Sequence, residues 1–131
     1  MSEFRVACLQ TCTGTTPEDN LTALTSLIKE AAQEGAEFIL TPETCNFMPQ
    51  NKEARCSTMQ SESDDKTVAS LAALAAELKV TLLAGSVILT GNSDKAVNRS
   101  ICFNPLGDIV ARYDKIHLFD VELDNGERHS E

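Results

Sequence analysis

The chain has 131 residues, of which 42% are hydrophobic and 24% are charged, a balance typical of one globular domain rather than of a disordered segment. Its formal net charge of -9 argues against nucleic acid and anionic membrane surfaces as partners, because both attract basic proteins. The first residues lack a basic segment followed by an apolar one, and no run approaches the roughly 18 apolar residues of a membrane span.

The five cysteines are odd in number and irregularly spaced, at positions 8, 12, 45, 56 and 102. No pair has the C-x-x-C spacing of zinc or redox motifs. We therefore expect reduced thiols in a cytoplasmic protein, mostly buried as small apolar residues. The sequence also lacks metal-ligand spacing and phosphate-binding glycine motifs, so it points to no metal or cofactor.

The first third of the chain predicts a β-α-β unit. Residues 4–11 contain four consecutive apolar residues, which predicts a central strand covered on both faces. A helix follows, with Thr16 as its cap, Pro17 at its first position and Gly35 at its end. Its apolar stripe comprises Leu21, Leu24, Ile28, Ala31 and Ala32. A second strand over residues 38–40 then implies parallel pairing with a right-handed crossover.

Glu43 follows the end of this second strand. Pro42 cannot donate a backbone hydrogen bond, so strand pairing should stop before Glu43. Ligands in open α/β sheets bind beyond the carboxyl ends of the strands, which makes Glu43 a candidate site residue. The alternative is a solvated loop carboxylate.

The middle of the chain predicts further elements of an α/β fold in one domain over residues 1–131. Residues 46–65 are polar and aperiodic, and predict a long binding loop or lid. A second helix is expected from a cap at Ser63 or Asp64, with an apolar stripe that comprises Val68, Leu71, Ala72, Ala75 and Leu78. A strand over residues 81–89 should follow, again apolar on both faces.

A β-hairpin and an irregular segment complete the chain. Residues 97–103 alternate with period two, and residues 105–108 form a turn before the returning strand at residues 109–113. Residues 122–131 are acidic and read as a loop.

Lys115 follows the returning strand of this hairpin, where the strand pattern ends. A solvated lysine is the ordinary interpretation. However, Glu43 and Lys115 both follow strand ends and could meet at one edge of the sheet. A carboxylate and an ammonium at one site can act as a general base and an oxyanion stabiliser.

Three segments of the chain resemble the nitrilase superfamily of carbon–nitrogen hydrolases. They are the opening Val-Ala-x-x-Gln strand at residues 6–10, the strand ending in Pro42-Glu43, and the lysine motif at residues 113–120. The resemblance covers all 131 residues and is closest to the branch that acts on omega-amides or deaminated glutathione. It implies a nitrilase-type α-β-β-α sandwich, usually a homodimer, that hydrolyses a small-molecule amide or nitrile without a cofactor.

The resemblance also implies roles for particular residues. The family uses a Glu-Lys-Cys triad, in which Glu43 would be the general base and Lys115 would stabilise the tetrahedral intermediate. Glu131 resembles the second glutamate of the family, which would orient Lys115 or the substrate. The nucleophilic cysteine would lie a few tens of residues beyond Glu131, and none of the five cysteines of this chain matches its motif. The chain is therefore interpreted as the N-terminal part of an amidase or nitrilase, inactive alone.

Two alternatives remain open at this stage. The chain could be a shortened, non-catalytic paralogue that binds or scaffolds. It could also be an independent enzyme with Cys45 as nucleophile. His117 and His129 are the two histidines that could form a Cys–His pair. His117 is itself interpreted as a packing residue of the lysine motif.

The predicted elements also suggest how the sheet is covered. Two helices with one apolar stripe each can cover only one face of a sheet whose strands are apolar on both. In the family, a second sheet from the rest of the protein covers the other face. The 131-residue chain alone is therefore expected to leave an apolar face open and to self-associate.

Overall fold

The computed structural model describes residues 3–92, 95–117, 120–122 and 128–130, the last two ranges as backbone only. Seven strands and three helices are assigned within these ranges. In chain order they are β1 (Val6–Cys8), α1 (Pro17–Gln33), β2 (Phe38–Leu40), α2 (Lys52–Thr58), α3 (Lys66–Leu78), β3 (Thr81–Thr90), β4 (Ala96–Phe103), β5 (Ile109–Asp114), β6 (Asp120–Glu122) and β7 (Arg128–Ser130).

Five of the strands form one mixed sheet in the order β1-β2-β3-β4-β5, and β6 and β7 form a separate antiparallel pair. β1, β2 and β3 are parallel, which confirms the predicted parallel pairing of the first β-α-β unit. β4 is antiparallel to both β3 and β5. Since two reversals restore the direction, β5 runs parallel to β2. The carboxyl ends of β2 and β5 therefore lie at the same edge of the sheet.

The hydrophobic core lies between one face of this sheet and the helices α1 and α3. Strand residues that share one register row, such as Ile39, Leu82 and Phe103, are fully buried. They pack in one cluster with buried residues of the predicted helical stripes, among them Leu24 and Leu71. The α1 helix has the predicted start at Pro17 after the cap Thr16, and the chain leaves it through Gly35 at φ 86. Among the described residues, no helix is long and apolar enough to cross a membrane.

The opposite face of the sheet is less covered. Neighbouring strands place Val6 beside Phe38, and Cys8 in one row with Leu40, Leu83 and Cys102. None of these side chains is buried, and Val6 is 47% exposed. We call these six residues the open face.

The prediction of a central strand at residues 4–11 is wrong. Only Val6–Cys8 form a strand, and β1 lies at the edge of the five-stranded sheet. Its pattern of exposed, half-buried and exposed residues shows that the apolar run reaches the open face rather than a second covered face. The prediction that most of the cysteines are buried is also wrong. Cys8, Cys12 and Cys56 are exposed, because they lie on the open face, in a loop and on α2, which buries no residue.

Three smaller predictions also require correction. The supposed loop at residues 46–65 contains α2, whose seven residues are too few and too exposed to show an apolar period. The cap of α3 is Asp65, whose carboxylate accepts a hydrogen bond from the Val68 amide, rather than Ser63 or Asp64. The segment read as a loop at residues 122–131 includes the strand β7, while residues 123–127 lie outside the described residues.

Candidate active site

Glu43 and Lys115 are in contact. The Lys115 Nζ atom lies 2.9 Å from Glu43 Oε1, and the predicted proximity of the two residues is confirmed. The Glu43 side chain is 59% exposed and the Lys115 side chain 32% exposed. An ion pair this exposed contributes little to folding stability. The geometry therefore matters mainly for the chemistry that a paired carboxylate and ammonium can perform.

The chain between β2 and Glu43 packs directly against a bulge in β3. The register of β3 against β4 shifts between Ala84 and Val87, so β3 has one extra residue at this point. A Cβ atom on Gly85 would lie 2.3 Å from the Thr41 carbonyl oxygen and 2.7 Å from that of Pro42. Only glycine allows this close approach. The bulge thus allows the chain to pass against β3 and bring Glu43 within reach of β4 and β5.

Hydrogen bonds hold the segment after Glu43 onto the same bulge. The amide of Thr44 donates to Ser86 Oγ and the amide of Cys45 donates to the Ser86 carbonyl, both at 2.9 Å. Thr44 has φ 49, a left-handed conformation that is unfavourable for a β-branched residue. This turn separates the directions of its neighbours, since Glu43 is exposed whereas Cys45 is buried.

We expect Gly85→Ala to lower the free energy of unfolding by about 3 kcal/mol, because the new methyl group would overlap the Thr41–Pro42 backbone. The measurement is denaturant unfolding of the complete gene product, meaning the protein translated to its own stop codon. Gly14→Ala is the matched control, because a Cβ at Gly14 would meet only Asn20 Oδ1, at 3.6 Å. Equal losses in the two variants would contradict the proposed role of the bulge.

Lys115 is positioned by the strand pair β4–β5. Its amide donates to the Asn98 carbonyl at 2.9 Å. The preceding residue, Asp114, receives two hydrogen bonds from the Arg99 guanidinium, at 2.6 and 2.9 Å. Such a bidentate pair fixes both position and orientation. Two successive residues, Asp114 and Lys115, are therefore held against β4, which fixes the backbone from which the Lys115 side chain extends.

Arg99 and Asp114 belong to a four-residue charge cluster. Glu62, from the segment before α3, pairs with Arg99 at 3.0 Å and with Arg112 at 2.8 Å. The hydrogen bond from Arg112 and then that from Arg99 lower the pKa of Glu62, against the opposing effect of burial. Arg99 likewise lowers the pKa of Asp114. The cluster joins the Glu62 segment to the hairpin that carries Lys115.

The cluster should stabilise the fold at neutral pH and lose this effect in acid. Both carboxyl groups have pKa values lowered by folding, so their contribution is fully present above the unfolded-state pKa of about 4 and is lost as pH falls from there through the lower folded-state pKa values. We expect Arg99→Met to lower the melting temperature clearly at pH 7 and much less at pH 3. Lys29→Met, which removes an exposed pair with Glu77, is the control and should show little effect at either pH. A pH-independent effect of Arg99→Met would contradict this prediction.

Cys45 is poorly suited to act as a nucleophile in this environment. Its side chain is 1% exposed and belongs to the hydrophobic core cluster. Burial raises the pKa of the Cys45 thiol to about 11, although a hydrogen bond with Thr41 acts in the opposite direction. Since the thiolate is the nucleophilic form, a thiol with this pKa is largely unreactive at neutral pH.

Sequence reasoning missed Asn98. Its Nδ2 atom donates to Glu43 Oε1 at 3.0 Å, and its side chain is buried. A polar residue on an alternating strand carries no distinctive signal. Asn98 becomes visible as a site residue only once the sheet order places the start of β4 at the edge where β2 ends.

Among the remaining glutamate and histidine candidates, only His117 has a described side chain. Glu131 lies outside the described residues, and the side chain of His129 is not described. The interpretation of His117 as a packing residue is wrong, because His117 is exposed where the chain leaves the sheet. Within the described ranges, no group of three or more His, Cys, Asp or Glu side chains could hold a metal ion.

Two cavities lie away from Glu43 and Lys115. One, of about 270 Å³, is lined by the first turns of α1 and α3 and by the end of α2. The other, of about 230 Å³, lies between α1 and the loop after β1, with Cys45 in its lining. Neither is lined by Glu43 or Lys115, so the candidate pair is not enclosed by either cavity.

The five-stranded sheet and its helices define an α/β protein with a nitrilase-type fold. The crystal structure of the C. elegans NitFhit protein matches with a TM-score of 0.84 at 25% identity, covering 96% of this chain and 31% of that chain. An amidase from Nesterenkonia sp. shares the fold with a TM-score of 0.74 at 21% identity, over 88% of this chain and 44% of that chain.

Residues 5–131 match the carbon–nitrogen hydrolase family, and the chain belongs to this family. Among its relatives, omega-amidase NIT2 of Homo sapiens is 33% identical over 129 residues, which are 94% of this chain and 44% of that protein. A deaminated glutathione amidase of Synechocystis sp. is 32% identical over 134 residues, 100% of this chain and 48% of that protein. The chain thus spans less than half the length of these two relatives.

Proposed function

We propose that the complete protein is an amidase that hydrolyses small-molecule amides through a Glu-Lys-Cys triad. The observation that carries the proposal is the 2.9 Å contact between Lys115 Nζ and Glu43 Oε1 at the carboxyl edge of the sheet. The family match and the amidase relatives support the reaction class. Nitriles are a second substrate class within this proposal.

In the proposed mechanism, Glu43 and Lys115 serve a cysteine nucleophile that follows residue 131 in the complete protein. Glu43 accepts the thiol proton, and the thiolate attacks the amide carbon. The Lys115 ammonium stabilises the negative charge that develops on the carbonyl oxygen. As the carbon–nitrogen bond breaks, the proton passes from Glu43 to the departing ammonia or amine, leaving a thioester.

Glu43 then takes a proton from water, and the resulting hydroxide attacks the thioester. The carboxylic acid is released, and the proton on Glu43 returns to the cysteine. We propose that Glu131 supplies a second carboxylate that orients Lys115 or the substrate. No step requires a metal or cofactor, and the proposed active form is a homo-oligomer.

A structural neighbour has a reactive cysteine in its active site. In a mutant of the amidase from Nesterenkonia sp. AN1, acrylamide is attached to the active-site cysteine by Michael addition. Cys45 is a poor equivalent in this chain because it is buried in the core and its pKa is raised to about 11. The alternative of a non-catalytic, shortened paralogue predicts that no nucleophilic cysteine follows residue 131.

The test compares two proteins: the complete gene product and the 131-residue chain. Reading the coding sequence beyond codon 131 should reveal a cysteine after a further strand. The complete product should release ammonia from members of a panel of small primary amides, whereas the 131-residue chain should show no turnover. Turnover by the short chain that disappears in Cys45→Ala would instead make Cys45 the nucleophile. A stop codon directly after codon 131 would favour the non-catalytic paralogue.

A further inference from the structure

Asn98 touches both residues of the candidate pair. Its side-chain amide donates to Glu43 Oε1 at 3.0 Å, and its backbone carbonyl accepts the Lys115 amide at 2.9 Å. The residue is 6% exposed, and it lies near the start of β4, at the edge of the sheet where β2 and β5 end. Asn98, on the strand β4, is thus hydrogen-bonded to both of the segments that carry Glu43 and Lys115.

The two donors converge on one oxygen of Glu43. Lys115 Nζ and Asn98 Nδ2 both bind Oε1, at 2.9 and 3.0 Å. Neither of these two bonds engages Oε2, so we infer that Oε2 exchanges the proton. A carboxylate held by the Lys115 ammonium alone would be free to rotate about its last bond, because the long lysine side chain can follow it.

We propose that Asn98 is a positioning residue that fixes the Glu43 carboxylate beside Lys115 with Oε2 directed to the reacting atoms. The proposal rests on the proposed function of Glu43 as the general base. A neutral amide suits this role, since it donates a hydrogen bond without adding charge beside the Glu43–Lys115 pair. An aspartate there would add a second negative charge, and a leucine would remove the donor.

The first experiment tests the contact itself and does not depend on activity. Asn98→Asp places a second carboxylate beside Glu43, and two ionised carboxylates at this distance repel each other. The melting temperature of this variant should fall increasingly below that of the wild type as pH rises from 4 to 7. The deficit of Asn98→Leu should stay constant over the same range. Adding Glu43→Gln to Asn98→Asp should reduce the pH dependence to the part that burial of the new carboxylate causes. If the pH dependence is unchanged by Glu43→Gln, Asn98 does not adjoin Glu43 and the proposal fails.

The second experiment tests positioning in the complete gene product. Asn98→Leu should lower kcat for amide hydrolysis by about 10–100-fold with KM changed less than about threefold, because the base is present but misplaced. The control is Asn104→Ala, which removes a side-chain oxygen that accepts the Leu106 and Asp108 amides at the far end of the same hairpin. This variant should keep the wild-type kcat even if it melts earlier.

The outcomes separate the two proposals. A wild-type kcat in Asn98→Leu, with the pH-dependent contact present, would overturn the positioning role alone. A complete wild-type protein without amidase activity would overturn the proposed function, and with it the role of Asn98 in catalysis. The melting experiment would still report whether Asn98 and Glu43 are in contact.

Discussion

Replacing Glu43 with Gln in the complete gene product is expected to lower kcat/KM for amide hydrolysis by about 10²–10⁴-fold, the usual contribution of a general base. The glutamine retains a carbonyl oxygen that can accept the hydrogen bonds from Lys115 Nζ and Asn98 Nδ2. The fold around the site should therefore persist while the proton acceptor is lost. Because Glu43 is exposed, the substitution should also have little effect on stability.

The measurement is the rate of ammonia release from the best amide of the panel, together with the melting temperature. Glu53→Gln makes the same chemical change at an exposed position on α2 and serves as the control. A Glu43→Gln variant within about threefold of the wild type would refute the role of Glu43 as the base. A large loss of melting temperature in the same variant would instead indicate a structural role.

The placement of Glu43 and Lys115 at one edge of the sheet was predictable because it depends on strand direction. Each residue follows a strand whose end the sequence marks, at Pro42 in one case and at the loss of alternation after Tyr113 in the other. β2 and β3 are parallel, and the chain reverses direction at β4 and again at β5. The carboxyl ends of β2 and β5 therefore lie at one edge of the sheet. Local signals and chain topology were sufficient to place both residues at this edge.

The features that refine the site depend on contacts between distant segments. Gly85 is essential because the backbone of Thr41, 44 residues earlier, and of Pro42 passes against it, and no local pattern reports that approach. Asn98 belongs to the site through its contact with Glu43, 55 residues away in sequence. The helix α2 escaped prediction because it buries nothing, and apolar periodicity detects only helices that pack on a core.

The edge position of β1 shows a further limit of sequence patterns. The apolar run at residues 6–9 predicts that both faces of a strand avoid water, but it carries no information about which strands lie beside it. In the described structure, α1 and α3 cover one face, and the open face remains partly accessible. Phe4 is 65% exposed, and its ring centroid lies 6.3 Å from the ring centroid of Phe38. Phe4 therefore extends the open face.

This uncovered surface leads to the second large expected effect. The 131-residue chain in isolation should bind a hydrophobic dye and self-associate despite its net charge of -9, because the open face joins several apolar side chains across neighbouring strands. Soluble monomers seldom expose contiguous apolar patches larger than about a few hundred Å². Sizing chromatography and dye fluorescence, measured over a range of protein concentrations, are the appropriate tests.

Paired substitutions can locate the effect on the open face. Val6→Thr combined with Leu83→Thr places a β-branched residue with high strand propensity on both β1 and β3 while making their outer surface more polar, so it should reduce both dye binding and association. Leu106→Ser removes an equally apolar side chain, 77% exposed in the β4–β5 turn, and should change neither. A monodisperse, dye-negative monomer that unfolds cooperatively would show that the chain closes its own core. That result would favour a self-sufficient, non-catalytic protein over a part of a larger amidase.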